Sequence, residues 1–257
     1  DSFEEVESTN LSIVTSQDFE AFPALLHLYL SQNCISRVSP GAFRSLPNLL
    51  TLHLGTNNLD ILPKERLQGM EHLRILNLTH NLLKELDEFP EDLKSLQILD
   101  LSYNQISIVG KVTFKNLVSL VELHLYGNWI NAISSEAFRP LKKLRLLDLS
   151  RNYLENLPLN AFRPLETQIR SLRAEGNVMI GDSSCATHSS VHVLSSINAF
   201  IVLRQTCSVM IVFVSLSCDS YTINYIFTKQ TFFTFTKFQK HENNINSCDI
   251  IYEWNKT

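Results

Sequence analysis

The stretch LRLLDLSRNYL at residues 144–154 decides the fold, because its spacing of leucines and asparagine returns along the chain. Residues 96–106 read LQILDLSYNQI, and the frame that both share is L-x-x-L-x-L-x-x-N-x-L. Complete copies begin at Leu25, Leu49, Leu73, Leu96, Leu120 and Leu144, and a degraded copy begins at Ile169. A period of about 24 residues lies in the range of a solenoid repeat, so about seven stacked units are predicted.

Each unit is predicted to supply one short strand and one turn. Side chains alternate along a strand, so the two leucines of L-x-L point inward and the residue between them points outward. One unit cannot bury its own apolar face, whereas stacked neighbours bury a continuous core. The asparagine stands where the chain leaves the strand, and its amide can bond the backbone of the turn. We therefore expect a buried ladder of asparagines along the solenoid.

The return side of each unit carries an aromatic position. Five repeats place phenylalanine there and one places leucine: Phe19, Phe43, Phe114, Phe138, Phe162 and Leu67. The pattern predicts a packed spine on the convex side. The step from Leu73 to Leu96 is one residue short and carries an acidic run around Pro90. We interpret that run, Glu85, Asp87, Glu88, Glu91 and Asp92, as a solvated and irregular convex loop.

Residues 6–177 resemble the extracellular "typical" leucine-rich-repeat family, which includes Toll-like receptors, Slit and chaoptin. The resemblance rests on the repeat frame and on the x-x-A-F-x-x-L-x-x-L text before each strand, as at Ala42-Phe43. It implies an α/β leucine-rich-repeat solenoid, a curved horseshoe with parallel concave strands, followed by a non-repeat tail. The organisation expected is a partial N-terminal repeat at 1–24, repeats at 25–177 and an atypical, poorly folded tail at 178–257.

The family resemblance implies recognition of a protein, sometimes a glycan or lipid, through the concave strand face. On that face the residue between the core leucines and the two columns beyond it carry Tyr, His and Arg side chains. Tyrosine, tryptophan and arginine are the usual hot spots of protein interfaces. The predicted contact patch is Tyr103, His124, Tyr126, Trp129 and Arg151. The alternative is a solvated sheet without a ligand on this stretch.

Other classes of function find little support in the sequence. His53, His80 and His124 stand on separate strands, so no metal site or cofactor is expected. No Ser-His-Asp constellation, phosphate loop or H-E-x-x-H motif indicates an enzyme. The net charge is −4 and no basic stripe indicates a nucleic acid partner. A protein ligand or receptor is expected instead. Two alternatives stay open: a self-associating adhesion protein, and the recognition part of a larger protein whose effector domain is missing.

Sequons point to an extracellular or cell-surface location. They begin at Asn10, Asn77 and Asn255, and the first two are the candidate glycosylation sites. Cys34 is the one cysteine of the repeats, and a partly buried free thiol is expected there. The chain shows no secretory leader and no capping module, which we interpret as a piece of a longer protein. Membrane attachment of the full-length protein is an alternative that the sequence leaves open.

The composition changes abruptly after Asn177. The last proline is Pro164, and residues 221–257 are dominated by Phe, Tyr, Ile, Asn and Lys, which have A/T-rich codons. Three interpretations compete. Four cysteines could close a divergent disulfide cap. Residues 197–216 are long enough to span a bilayer, although Arg204 near the middle opposes that. The interpretation we favour is intron read-through, with the GT of a donor site in the codon of Val178.

Limited proteolysis of the purified chain tests the tail. If residues 178–257 have no selected fold, digestion should stop near about residue 175–180 and leave the repeats intact. Mass spectrometry of the surviving core gives the boundary. A fragment from Cys185 to Cys248 that survives without reductant but is digested with it would instead establish a disulfide cap.

Overall fold

The structure, a computed structural model, describes residues 3–5, 10–156, 159–177, 200–205, 208–217 and 220–227. Over these described residues, short strands form one eleven-stranded sheet, and its strands within the repeats pair in parallel. The strands of this sheet within the repeats are β1 (Phe3–Glu5), β3 (His27–Tyr29), β5 (Thr51–His53), β6 (Ile75–Asn77), β7 (Ile98–Asp100), β9 (Glu122–His124), β11 (Leu146–Asp148) and β12 (Ser171–Arg173). The predicted solenoid of about seven turns with parallel strands is confirmed.

The return segments are mostly irregular. Two small parallel sheets lie there, β2 (Ile13–Val14) with β4 (Arg37–Val38), and β8 (Ile108–Val109) with β10 (Ala132–Ile133). In the part of the chain that the structure describes, helical structure is limited to short segments: α1 (Leu159–Phe162) and the 3₁₀ segments Lys64–Leu67, Glu91–Ser95 and Arg163–Leu165. A return segment of this kind occupies little space, so adjacent turns stay close on the convex side.

The strands pair in exact repeat register, which stacks the frame leucines into columns. The middle residues of neighbouring strands face one another, from Leu28 and Leu52 to Leu147 and Leu172. Each of these leucines is at most 1% exposed, and so is the residue two positions after it, which is a leucine in all repeats except the last, where it is Ala174. Burial of an aliphatic side chain contributes roughly 1.5–3 kcal/mol, and here the contribution comes from contacts between repeats.

The asparagine ladder lies at the end of each strand and joins each repeat to the one before it. From Asn57 onward, every ladder Nδ2 donates to the carbonyl of a leucine in the preceding repeat at 2.9 Å. Every Oδ1 accepts a backbone N–H of the preceding repeat at 2.9–3.3 Å. The ladder consists of Asn33, Asn57, Asn81, Asn104, Asn128, Asn152 and Asn177, all at most 9% exposed. The predicted ladder is confirmed.

The phenylalanine spine on the convex side contains a member that the sequence reading missed. Phe114, Phe138 and Phe162 stack with ring centroids 6.0–6.2 Å apart, and Phe19 stacks on Phe43 at 6.2 Å. Phe89 stacks on Phe114 at 6.2 Å and is 5% exposed. The short repeat shifts this ring by one position, which hid it from a fixed period.

The acidic run around that ring is therefore only partly a solvated loop. The carboxylate of Glu88 accepts from Asn116 Nδ2 at 3.0 Å and lies 3.5 Å from Lys115 Nζ. These contacts tie the irregular segment to the next repeat. The surface ion pair contributes little by itself, whereas the buried ring fixes the position of the segment.

Three further strands lie within residues 178–257. β13 (Phe200–Gln205) pairs in parallel with β12, and β14 (Ser208–Ser217) and β15 (Ser220–Phe227) follow as antiparallel strands. The predicted bilayer-spanning stretch 197–216 overlaps β13 and β14, while its residues 197–199 and 206–207 lie outside the described residues. Over the described part of the chain, no helix has the length and apolar character needed to cross a bilayer.

The cap cysteines proposed for the tail fall outside the described residues. The same is true of Val178 and of the sequon at Asn255. The interpretation of residues 178–257 as an atypical, poorly folded tail therefore stays a prediction.

Two neighbouring asparagines give a matched test of the ladder. Asn57 is 5% exposed and makes three donations and one acceptance, whereas the side chain of Asn58 is exposed. Asn57→Asp keeps the acceptor but removes the donors and turns a buried carboxylate toward carbonyl oxygens. We expect it to lower the free energy of unfolding by about 3 kcal/mol or more, and Asn58→Asp to change it by less than about 0.5 kcal/mol. Urea denaturation measures both, and equal losses would contradict a structural ladder.

Candidate functional site

The backbone turns sharply just before each ladder asparagine. From Gln32 to Gly176, the residue at this position has a positive φ of 52–72° in every repeat: Gln32, Thr56, His80, Tyr103, Gly127, Arg151 and Gly176. Residues with a side chain adopt this left-handed conformation at some cost in free energy. The cost is accepted because the turn brings the asparagine inward to bond the preceding repeat. The side chain of the left-handed residue, which comes just before the asparagine, is consequently held at the edge of the concave face.

Four side chains at this edge form a continuous row, which we call the aromatic strip: His80, Tyr103, Tyr126 and Arg151. His80 and Tyr103 are stacked, with centroids 4.2 Å apart and planes at 12°. Tyr103 meets Tyr126 edge to face at 5.1 Å, and Arg151 Cζ lies 5.5 Å from the centroid of the Tyr126 ring. Stacked, T-shaped and cation–π contacts thus join four consecutive repeats.

A glycine makes room for the strip. Gly127 occupies the left-handed position between Tyr103 and Arg151 with φ +67°. A Cβ at Gly127 would lie 3.1 Å from Cδ1 of Tyr103, closer than ordinary contact. Tyr126, one residue earlier, can therefore approach Tyr103 across a site that has no side chain. The contacts of the strip therefore depend on the absence of a side chain at Gly127.

The neighbouring Tyr103 side chain affects the protonation of the Tyr126 hydroxyl. The pKa of Tyr126 lies above its ordinary value, mainly because a hydrogen bond with the Tyr103 side chain favours the neutral phenol. Partial burial raises this pKa further, while the positive charge of Arg151 opposes the shift. Tyr126 is therefore neutral near pH 7 and offers both a donor and an acceptor.

The predicted patch residue His124 lies on the concave sheet rather than in the strip. It stands on β9 between Asp100 of β7 and Asp148 of β11 in the strand register. Its Nε2 lies 3.4 Å from Oε2 of Glu122 on the same strand. His124 therefore adds a polar surface beside the tyrosines.

The carboxylates of this sheet are engaged by their own chain. Oδ1 of Asp100 accepts the backbone N–H of Ser102 at 2.9 Å, and Oδ1 of Asp148 accepts that of Ser150 at 3.0 Å. Oδ2 of Asp148 lies 3.5 Å from Nη1 of Arg173. Asp100 and Asp148 face the concave side, but their carboxylates thus bond the backbone at the ends of their own strands. Over the described residues, no group of three or more His, Cys, Asp or Glu side chains is placed to hold a metal ion.

Trp129 is separated from the rest of the predicted patch. It follows the ladder residue Asn128, so it lies on the flank beyond the turn and is 50% exposed. There it borders a depression with Tyr153 and three polar residues. The sequence placed Trp129 beside the concave face because it could not show how sharply the chain turns at Gly127. The predicted contact patch also omitted His80, because the stacking of His80 on Tyr103 depends on the register between repeats.

The predicted glycosylation residues differ in accessibility. Asn10 is exposed, with φ 59°, and lies near Cys34. Asn77 is half-buried on β6, and its Oδ1 accepts from both the backbone and the hydroxyl of Thr79, at 2.9 and 2.7 Å.

Cys34 is a free thiol and is exposed, so the expectation of a partly buried thiol was wrong. The residues that follow five of the ladder asparagines are likewise exposed: Cys34, Asn58, Leu82, Trp129 and Tyr153.

Comparisons with known proteins agree with this geometry. The family model described as leucine rich repeat matches residues 5–59, 27–83, 86–130 and 120–179. Among solved structures, the crystal structure of the TLR13–ssRNA13 complex is similar, with a TM-score of 0.55 and 25% sequence identity. That match covers 71% of this chain and 29% of the TLR13 chain. No curated protein sequence matches.

Two substitutions should move the pKa of Tyr126 in opposite directions. Tyr103→Phe removes the hydrogen bond that favours the neutral phenol, so the pKa should fall toward its ordinary value. Arg151→Gln removes the nearby positive charge, so the pKa should rise further. NMR titration of ring-labelled tyrosine measures both shifts, and circular dichroism checks that the chain stays folded. Tyr153→Phe is the control. An equal shift of the Tyr126 pKa in that variant would contradict the roles given to Tyr103 and Arg151.

Proposed function

This chain belongs to the leucine-rich-repeat family, and on that premise we propose that it is the recognition module of a receptor-like protein. Its ligand is a protein, bound at the concave face along the aromatic strip and the strand side chains beside it. The repeats build a recognition fold, and the module acts by binding without catalysis. Because the chain spans 29% of the TLR13 chain, the proposal concerns this segment rather than a complete receptor.

The observation that carries the proposal is the aromatic strip itself. Tyr103 is 45% exposed, yet its ring is fixed by His80 on one side and Tyr126 on the other. A side chain that is already ordered loses little conformational entropy when a partner covers it. Tyrosine and arginine are enriched among the residues that dominate interface energies. The strip is therefore a preorganised hot spot.

The surroundings of the strip favour a protein over a small molecule. The strand side chains next to it are polar and charged, and they include His124, Asp148 and Arg173. An apolar centre with a polar rim is the usual anatomy of a protein interface. Charges of both signs lie beside the strip, which favours a partner with a mixed polar surface.

We propose that the module works outside the cell or at its surface. The similarity to TLR13, a Toll-like receptor, and the exposed sequon at Asn10 support this. Glycosylation of Asn77 would place a glycan on β6, in the same repeat as His80 and one strand before β7, after which Tyr103 lies. A glycan there would restrict the ligand to the later repeats. We propose Asn10 and Asn77 as the glycosylated residues.

Single-stranded RNA is a second candidate ligand, favoured by one specific observation. TLR13 was solved with ssRNA13, and stacked rings with an arginine beside them are also the chemistry that holds unstacked bases. The charge opposes it here, since Asp100 and Asp148 flank the strip and the net charge is −4. Phosphates would meet this surface unfavourably. We therefore rank a protein ligand first.

Capture with matched tyrosine variants tests the protein ligand. The immobilised chain is exposed to medium conditioned by cells of the source organism, and bound proteins are quantified by mass spectrometry. Tyr103→Ala and Arg151→Ala should each reduce the amount of captured ligand protein by roughly tenfold or more. Tyr153→Ala should retain it, because this residue is similarly exposed, at 54%, but lies outside the strip.

Retention of every captured protein by both strip variants would contradict the proposal. A labelled single-stranded RNA in place of the medium tests the second ligand, and binding that weakens steeply with salt would favour it. Sedimentation of the chain alone over a range of concentrations tests self-association. A mass that grows with concentration and reverts in Tyr103→Ala would make the strip an adhesive surface between copies.

A further inference from the structure

The flank beyond the asparagine ladder carries two parallel rows of side chains. After the ladder residues Asn128 and Asn152, exposed and buried side chains alternate along the chain. Ile130 and Leu154 point inward and are at most 1% exposed. Trp129 and Tyr153 precede them on the outward side, and Asn131 and Glu155 follow them. An aromatic row therefore runs beside a polar row, and neither belongs to the aromatic strip.

The backbone sets the two rows in register. The N–H of Tyr153 donates to the carbonyl of Ile130 at 2.9 Å, and that of Asn131 donates to Ser107 at 3.0 Å. Adjacent turns thus lie at about the separation of neighbouring strands, roughly 5 Å. Between the rows is an open depression of about 560 Å³, lined by Ser107, Trp129, Asn131, Tyr153 and Glu155.

The polar side chains of this depression have no partners among the described residues. No side chain of the five lining residues forms a hydrogen bond or ion pair with another described residue. The depression thus offers a hydroxyl, an amide and a carboxylate beside two exposed aromatic rings, which are 50% and 54% exposed. This differs from the concave sheet, where Asp100 and Asp148 already accept backbone hydrogen bonds.

We propose that this flank depression binds a neutral carbohydrate. A pyranose ring has an apolar face of C–H groups and a rim of hydroxyls, so it needs an aromatic surface next to planar donors and acceptors. Trp129 supplies the surface for the apolar face, with Tyr153 beside it in the aromatic row. Asn131 and Glu155 bond neighbouring hydroxyls, since an amide offers donors and an acceptor and a carboxylate offers two acceptor oxygens.

The charge of the depression selects the type of sugar. Among the described residues that line it, Glu155 is the one ionisable group besides the phenol of Tyr153, and none is a lysine or arginine. An acidic sugar or a phosphate would meet the carboxylate without a compensating cation. The depression extends over two to three repeats, which suits one or two sugar rings. A neutral disaccharide unit is therefore the ligand assigned.

Fluorescence of Trp129 gives a direct test in the full chain. The sequence has two tryptophans, so Trp254→Phe leaves Trp129 as the one reporter. Cellobiose, maltose, lactose and N,N′-diacetylchitobiose are titrated against this variant. We expect at least one to change the emission saturably, with a dissociation constant in the millimolar range or below, about what a few hydrogen bonds and one stacked ring provide.

Variants of the polar row separate a site from a non-specific effect. In the Trp254→Phe background, Asn131→Ala and Glu155→Gln should each weaken binding by roughly tenfold. Gln105→Ala is the control, because Gln105 holds the equivalent of the Trp129 position in the preceding repeat and does not line the depression. Unchanged urea midpoints show that each variant is folded.

The outcome is independent of the proposed protein ligand. Tyr103→Ala should leave sugar binding intact, whereas Tyr153→Ala should impair it, the reverse of their effects on protein capture. Absence of saturation for all four disaccharides would overturn the carbohydrate proposal, as would saturation unaltered by Asn131→Ala and Glu155→Gln. A proline-rich peptide that saturates the same fluorescence in place of the sugars would also overturn it and make the depression a peptide site.

Discussion

The hydrogen bonds of the asparagine ladder are the constraint on which the rest of the structure depends. Each amide joins two consecutive turns, because it donates to a leucine carbonyl and accepts a backbone N–H of the turn before. Leucine packing alone would stabilise stacked turns without fixing their exit from the sheet. Buried carbonyl and N–H groups without partners would each cost about 1–3 kcal/mol, so the amide makes the turn possible inside an apolar core.

The ladder also determines what the surface presents. To bring the asparagine inward, the preceding residue adopts a left-handed conformation, as Tyr103 and Arg151 do with φ 55° and 52°. The side chain before the asparagine is then held at the concave edge, and the side chain after it is turned to the flank. Tyr103 and Trp129 are both exposed aromatics of neighbouring repeats, yet they serve different surfaces for this reason.

The molecule therefore offers two binding surfaces of different chemistry. On the concave side, aromatic rings are already packed against one another and neighbouring carboxylates already bond the backbone, which suits a large, shape-complementary partner. On the flank, the rings and polar groups of the depression have no partners among the described residues, which suits a small polar ligand. One solenoid can carry both because each repeat contributes separately to each face.

The sequence by itself determined the repeat, the strand positions, the buried leucines and the asparagine ladder, because these follow from a fixed spacing and from the chemistry of one amide. It also predicted Tyr103, Tyr126 and Arg151 as members of one surface patch, and the structure brings them into contact, while their binding of a ligand stays a prediction. Phe89 was missed because a deletion of one residue breaks the period but not the stacking. Only the tertiary structure showed that His80 stacks on Tyr103 and that Trp129, a member of the predicted patch, lies on the flank instead. The physical reason is that the direction of these side chains depends on the left-handed turn and on the register between repeats, and neither is encoded in any single repeat.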